Sequence, residues 1–144
     1  MKVMVLVKAT EASEAGVLPT TEELSDMTAF NEELVRAGVM VTGEGLHPSR
    51  EAKRVRFDGN DRTVMDGPFD EVGTLLSGFW IWQVSSMDEA VGWVKRCPSS
   101  MGDGTVLEIR QLFEAEDFGD AYTPELRERE QRMRSEVTAA GGVQ

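Results

Sequence analysis

The chain has 144 residues, 40% apolar and 28% charged, which suits one soluble domain with a sizeable core. Its formal net charge of −11 repels a phosphate backbone and argues against nucleic acid as a partner. A single cysteine, Cys97, and a single histidine, His47, exclude an internal disulfide and any zinc site built from the cysteines or several histidines of one chain.

Residues 3–8 read as a strand that is apolar on both sides, with Val3, Val5 and Val7 on one and Met4 and Leu6 on the other. Such a strand belongs in the middle of a sheet covered on both faces. The run is too short to cross a membrane and lacks the form of a signal peptide, so a cytoplasmic protein without membrane contact is expected. Residues 9–18 read as a loop. Thr20 followed by Glu23 is a capping-box pattern, and Leu24, Met27, Phe30, Leu34 and Ala37 then recur at helical spacing until Gly38. Residues 39–42 read as a second strand. It leads into Gly43-Glu44-Gly45-Leu46-His47-Pro48, which carries the histidine.

Residues 52–57 alternate, with Val55 and Phe57 on one face and Arg54 and Arg56 on the other. Asp58-Gly59-Asn60-Asp61 is a hairpin turn, and residues 62–65 return antiparallel. If Asp58 and Asp61 close the loop, Asp66 lies opposite Lys53, at the open end where the segment holding His47 enters. Asp66-Gly67-Pro68-Phe69 then turns the chain. Residues 75–84 read as a strand with Trp80 and Trp82 on one face and Phe79 and Ile81 on the other, and Gly78 suggests a bulge or a close ligand approach. Ser86 with Glu89 is a second capping box, and Met87, Ala90, Val94 and Cys97 form a helical stripe that ends before Pro98. Residues 99–104 form a loop and 105–113 a last strand.

Residues 114–120 are an acidic connector. Thr123-Pro124 opens a charged helix with three acid-first pairs, Glu125/Arg129, Glu128/Arg132 and Glu130/Arg134, and a thin apolar stripe of Leu126, Met133 and Val137. The chain is expected to fray from about Ala139. The order β, α, β, β-hairpin, β, α, β, α predicts an α+β fold. Its core is ferredoxin-like (βαββαβ), elaborated by the hairpin and a C-terminal helix. Residues 1–113 form the domain and 114–144 an appended connector and helix. Two good amphipathic helices cover one sheet face. A second copy is expected on the other, giving a homodimer.

Taken together, Gly43-Glu44-Gly45-Leu46-His47-Pro48, Asp66-Gly67-Pro68-Phe69, Gly78-Phe79-Trp80-Ile81 and Asp88-Glu89-Ala90 with Arg96-Cys97-Pro98 resemble the YCII-related family in its DGPF-domain branch. The likeness covers residues 1 to about 113. It implies a dimeric α/β barrel with a cleft near the dimer interface, and a His–Asp pair, here His47 and Asp66, as catalytic residues.

The residues themselves allow two readings of that pair. A carboxylate on one imidazole nitrogen fixes the tautomer and leaves the other nitrogen free for proton transfer. Alternatively Asp66 caps its own turn and His47 is a loop residue. Phe69, Trp80 and Trp82 can line an aromatic pocket or belong to the core, and Arg54 can hold an anion or face solvent. Cys97 reads as core. The leading expectation is a lyase or isomerase that acts on a small molecule, with His47 and Asp66 catalytic, Phe69, Trp80, Trp82 and Arg54 binding substrate, and neither metal nor organic cofactor. The competing one is a non-catalytic small-molecule-binding or regulatory module, linked through the resemblance to sigma-factor function.

Overall fold

The computed structural model describes residues 1–141. It is a mixed α+β fold with antiparallel sheets. Strand β1 (Lys2–Lys8) is followed by a short helix α1 (Glu11–Glu14), helix α2 (Thr21–Arg36), strand β2 (Met40–Gly45), a hairpin of β3 (Lys53–Asp58) and β4 (Asp61–Asp66), strand β5 (Leu76–Gln83), helix α3 (Met87–Val94), strand β6 (Leu107–Gln111) and helix α4 (Pro124–Ala139). The main sheet has the order β2-β5-β1-β6, and the hairpin forms a separate ribbon.

The alternation read from β1 decides the core. Val3 pairs with Trp82 and Val5 with Trp80, so these four side chains share one sheet face. That face is packed by Phe30 and Leu34 of α2 and Ala90 of α3. Leu34, Trp82, Val3 and Val5 are fully buried, and each such Val or Leu contributes roughly 1.5–3 kcal/mol by leaving water. Phe30 meets the rings of Trp80, Trp82 and Trp93 edge-on, at centroid separations of 6.0, 6.4 and 6.5 Å. The Trp80 indole N–H donates to Asn31 Oδ1 at 2.9 Å. On the opposite face Met4, Leu6, Phe79 and Ile81 remain half-buried.

Several boundaries differ from the sequence reading, each for a local reason. Strand β2 runs on through Gly43-Glu44-Gly45 because Gly43 leaves room for Trp80: a Cβ there would sit 2.5 Å from the indole Cδ1. Gly78 has the same kind of cause. The β1–β5 register slips by one residue between Val7 and Lys8, and a Cβ at Gly78 would lie 3.0 Å from the Glu44 carbonyl oxygen. Backbone packing thus accounts for this glycine. Residues 9–18 hold helix α1, capped by Thr10 and Ser13 in a reciprocal box. Strand β6 spans only Leu107–Gln111, within the reach of its partner β1. The connector contains 3₁₀ turns over Ala115–Ala121.

The hairpin register is as read. Lys53 pairs with Asp66 and Asp58 with Asp61, and every residue of both strands is exposed. Of the three ion pairs expected along α4, Glu130–Arg134 forms. Arg127, which is in none of these pairs, reaches Glu116 and the Tyr122 ring. No residue of α4 is buried, and the helix continues to Ala139. The fraying expected beyond there falls largely on residues outside those described. No described helix is long and apolar enough to cross a membrane. Cys97 packs against the core, and burial pushes its thiol from 9.0 up to about 11, so it stays protonated at neutral pH.

Helix α3 carries a pH-sensitive start. Ser86 Oγ accepts from the Glu89 N–H at 3.1 Å, while Glu89 Oε2 accepts from the Ser85 N–H at 2.5 Å and from the Ser85 hydroxyl at 3.0 Å. The Ser85 backbone N–H, followed by its hydroxyl, holds the Glu89 carboxyl below its ordinary 4.5. The resulting stabilisation is present above 4.5 and is lost as pH falls through the lower folded value. Glu89→Gln is therefore expected to lower the melting temperature at neutral pH, with the gap to wild type closing below pH 4.5. Melts across a pH series measure this, and a gap that persists unchanged in acid contradicts it.

Candidate functional site

Beyond β2 the chain passes the end of the sheet, and Leu46 N–H donates to the Ser77 carbonyl at 2.9 Å. Pro48 then opens a 3₁₀ turn, Ser49–Glu51, closed by Ala52 N–H on the Ser49 carbonyl at 2.9 Å. The hairpin leaves from this turn and returns to it. Gly67 N–H donates to the Ala52 carbonyl at 2.9 Å, and the Gly67–Pro68 peptide is cis. The backbones meet so closely that a Cβ on residue 67 would lie 1.6 Å from the Ser49 carbonyl oxygen. Only glycine fits.

Ser49 is the one buried polar residue among those described, 5% exposed. Its hydroxyl accepts from the Phe69 N–H at 3.0 Å and donates to Glu14 Oε2 at 2.5 Å. Its own N–H donates to Glu14 Oε1 at 3.0 Å. Each buried polar atom of its side chain and amide is therefore matched, as burial requires. Arg50 adds a second tie to the α1 segment, its guanidinium lying against Gly16.

Above this junction lies a cleft of about 400 Å³, floored by Leu46, Leu75 and Leu76. His47, Glu51, Lys53, Arg54 and Phe69 line the rest of it, and Glu14 reaches its wall. His47 is on the rim, its side chain 84% exposed, with Nδ1 3.0 Å from Glu51 Oε2. The Arg54 guanidinium lies over the Phe69 ring, 3.8 Å from its centroid. Asp66 Oδ1 accepts from Lys53 Nζ at 2.5 Å, with both side chains largely in solvent.

Of the expected site residues, His47, Phe69 and Arg54 come together in the cleft. The carboxylate against His47 is Glu51, while Asp66 is engaged by its cross-strand neighbour Lys53. Nor does Asp66 cap its own turn, because the Gly67 and Phe69 amides go to Ala52 and Ser49. Trp80 and Trp82 are in the core, 5% and 0% exposed, on the sheet face covered by the helices. The sequence reading missed Glu14, Ser49 and Glu51. Glu51 carries a usable signal, since it stands four residues after His47, which one helical turn brings together. Thr10 and Ser13 at capping-box spacing mark α1, but nothing local points from Glu14 to Ser49, 35 residues away. Among the described residues no cluster of three or more His, Cys, Asp or Glu is arranged to hold a metal ion.

Comparison with known proteins gives three likenesses. The YCII-related domain model matches residues 1–116. An uncharacterized protein of Rhizobium meliloti (strain 1021), R00369, is 29% identical over 89 residues, which are 62% of this chain and 72% of that one. A solved structure of 5-chloro-2-hydroxyhydroquinone dehydrochlorinase (TftG) from Burkholderia phenoliruptrix AC1100, in complex with 2,5-dihydroxybenzoquinone, aligns with a TM-score of 0.42 and 16% identity, covering 83% of this chain and 100% of its own.

Gly67→Ala tests the junction. The Cβ has no space, so hairpin and turn must separate, and a loss of at least about 2 kcal/mol is expected. Denaturant unfolding measures it. Asp66→Asn, which removes only an exposed ion pair, is expected to cost less than about 1 kcal/mol. Equal costs for the two would contradict the account of the junction.

Proposed function

The chain belongs to the YCII-related family, and from that premise we propose that its cleft binds a small molecule and acts on it as a lyase or isomerase, with His47 transferring the proton. The observation that carries this reading is the contact between His47 Nδ1 and Glu51 Oε2 at 3.0 Å, beside an apolar floor. A carboxylate at Nδ1 favours the tautomer with the proton there and leaves Nε2 as an acceptor. Glu51 is the orienting group. Asp66 serves the mouth of the cleft by holding Lys53, and Phe69 and Arg54 contact the substrate.

The second reading, a non-catalytic binding or regulatory module, draws support from the exposure of His47, since an imidazole open to water gains little from its surroundings. Proton exchange separates the two. A panel of small cyclic hydroxy and keto acids is incubated with the protein in D₂O, and NMR follows loss of C–H signal and formation of product. Exchange is expected in wild type, with a fall of about 100-fold or more in His47→Gln and a smaller one in Glu51→Gln. Exchange that survives His47→Gln overturns the acid–base role. Binding without exchange by any variant leaves the module.

The ferredoxin-like core with residues 1–113 as the functional domain is supported by the sheet order and by an α4 that buries none of its residues. We further take the half-buried face of Met4, Leu6, Phe79 and Ile81 as the surface on which a second copy packs, sheet against sheet. Sedimentation is expected to give a dimer for wild type and a monomer for Leu6→Glu. A wild-type monomer at working concentration rejects the dimer.

A further inference from the structure

We propose that Arg54 is the anion-binding residue of the cleft, presented by a relay of contacts that begins at Glu14, and that the ligand is a small molecule with an apolar body and a carboxylate or an equivalent planar oxyanion. The inference rests on the cleft being the ligand site, as argued above, and adds what the ligand must carry.

Committed and uncommitted charge can be separated residue by residue. Both carboxylate oxygens of Glu14 are taken by Ser49. Glu51 faces His47, and Lys53 is held by Asp66. Arg54 alone among the charged groups of the cleft has no carboxylate or carbonyl partner among the described residues. It lies over the face of the Phe69 ring. Stacking occupies the flat face of a guanidinium and leaves its N–H edge free. That edge offers parallel donors at the spacing of a carboxylate's two oxygens. Leu46, Leu75 and Leu76 supply an apolar surface for the rest of the ligand. A volume of about 400 Å³ suits a small molecule.

The relay explains why the guanidinium stands there. Phe69 is its platform, and the Phe69 amide hangs from the Ser49 hydroxyl at 3.0 Å. Ser49 is clamped through N–H and O–H by Glu14. Glu14 is thus a positioning residue, acting on the ligand through Ser49, Phe69 and Arg54 in turn. Its own charge is spent on the two Ser49 donors.

Benzoate and its neutral isostere benzamide serve as probes, titrated against isotope-labelled full-length protein while amide and Arg Nε–H signals are followed. Wild type is expected to prefer benzoate by about tenfold, the scale of one charge-assisted bidentate pair. Arg54→Met keeps an apolar chain over Phe69 and is expected to abolish the preference, and Arg54→Lys to retain part of it. Glu14→Gln is expected to weaken benzoate while leaving benzamide unchanged, which a general loss of stability would not do. Equal binding of the two probes by wild type, or a preference that survives in Arg54→Met, overturns the anion assignment while the cleft stands. Failure of both probes to move any cleft signal overturns the assignment together with the cleft reading.

Discussion

The carbonyl oxygen of Ser49 occupies the space that a side chain on residue 67 would need. Two stretches of backbone therefore touch directly, and most of what is distinctive in this chain hangs from that contact. It anchors both ends of a hairpin that has no other sheet to lean on. It sets the Phe69 amide over the Ser49 hydroxyl, and through the Phe69 ring it sets Arg54. Buried polar groups tolerate such crowding only when each finds a partner. Glu14, arriving from a different part of the chain, supplies the partners that Ser49 lacks.

Core and cleft are built by different means. The core is a matter of alternation and area: valines of β1 and tryptophans of β5 on one face, with two helices laid over them. The cleft lies past the end of that sheet and is made of turns, a short helix and the foot of the hairpin. His47 with Glu51 and Lys53 with Asp66 are exposed pairs joined across short distances, so each adds little to stability. Substitution at the rim can therefore alter binding while the core remains as it is.

The sequence was most informative where local rules act. The Asp58-Gly59-Asn60-Asp61 turn defined the register of six pairs, including Lys53 with Asp66. Thr20, Ser86 and Thr123 marked their helix starts, each accepting the expected amide. Alternation showed that Trp80 and Trp82 share a face. It could not tell which face the helices would cover, and so left both residues open to a site role. Helix α1 was missed because four residues give no apolar period to read. Glu14 with Ser49 was missed because a hydrogen bond across 35 residues leaves no trace in spacing. The partner of His47 was legible in principle as an i,i+4 acid, but only if a helical turn had been expected between them.

All three tryptophans of the chain gather around Phe30. None of them lines the cleft. The intrinsic fluorescence of this protein is therefore a gauge of how α2 and α3 sit on the sheet. A ligand that enters between Leu46 and Phe69 meets no indole, so an unchanged emission spectrum would say nothing against its presence.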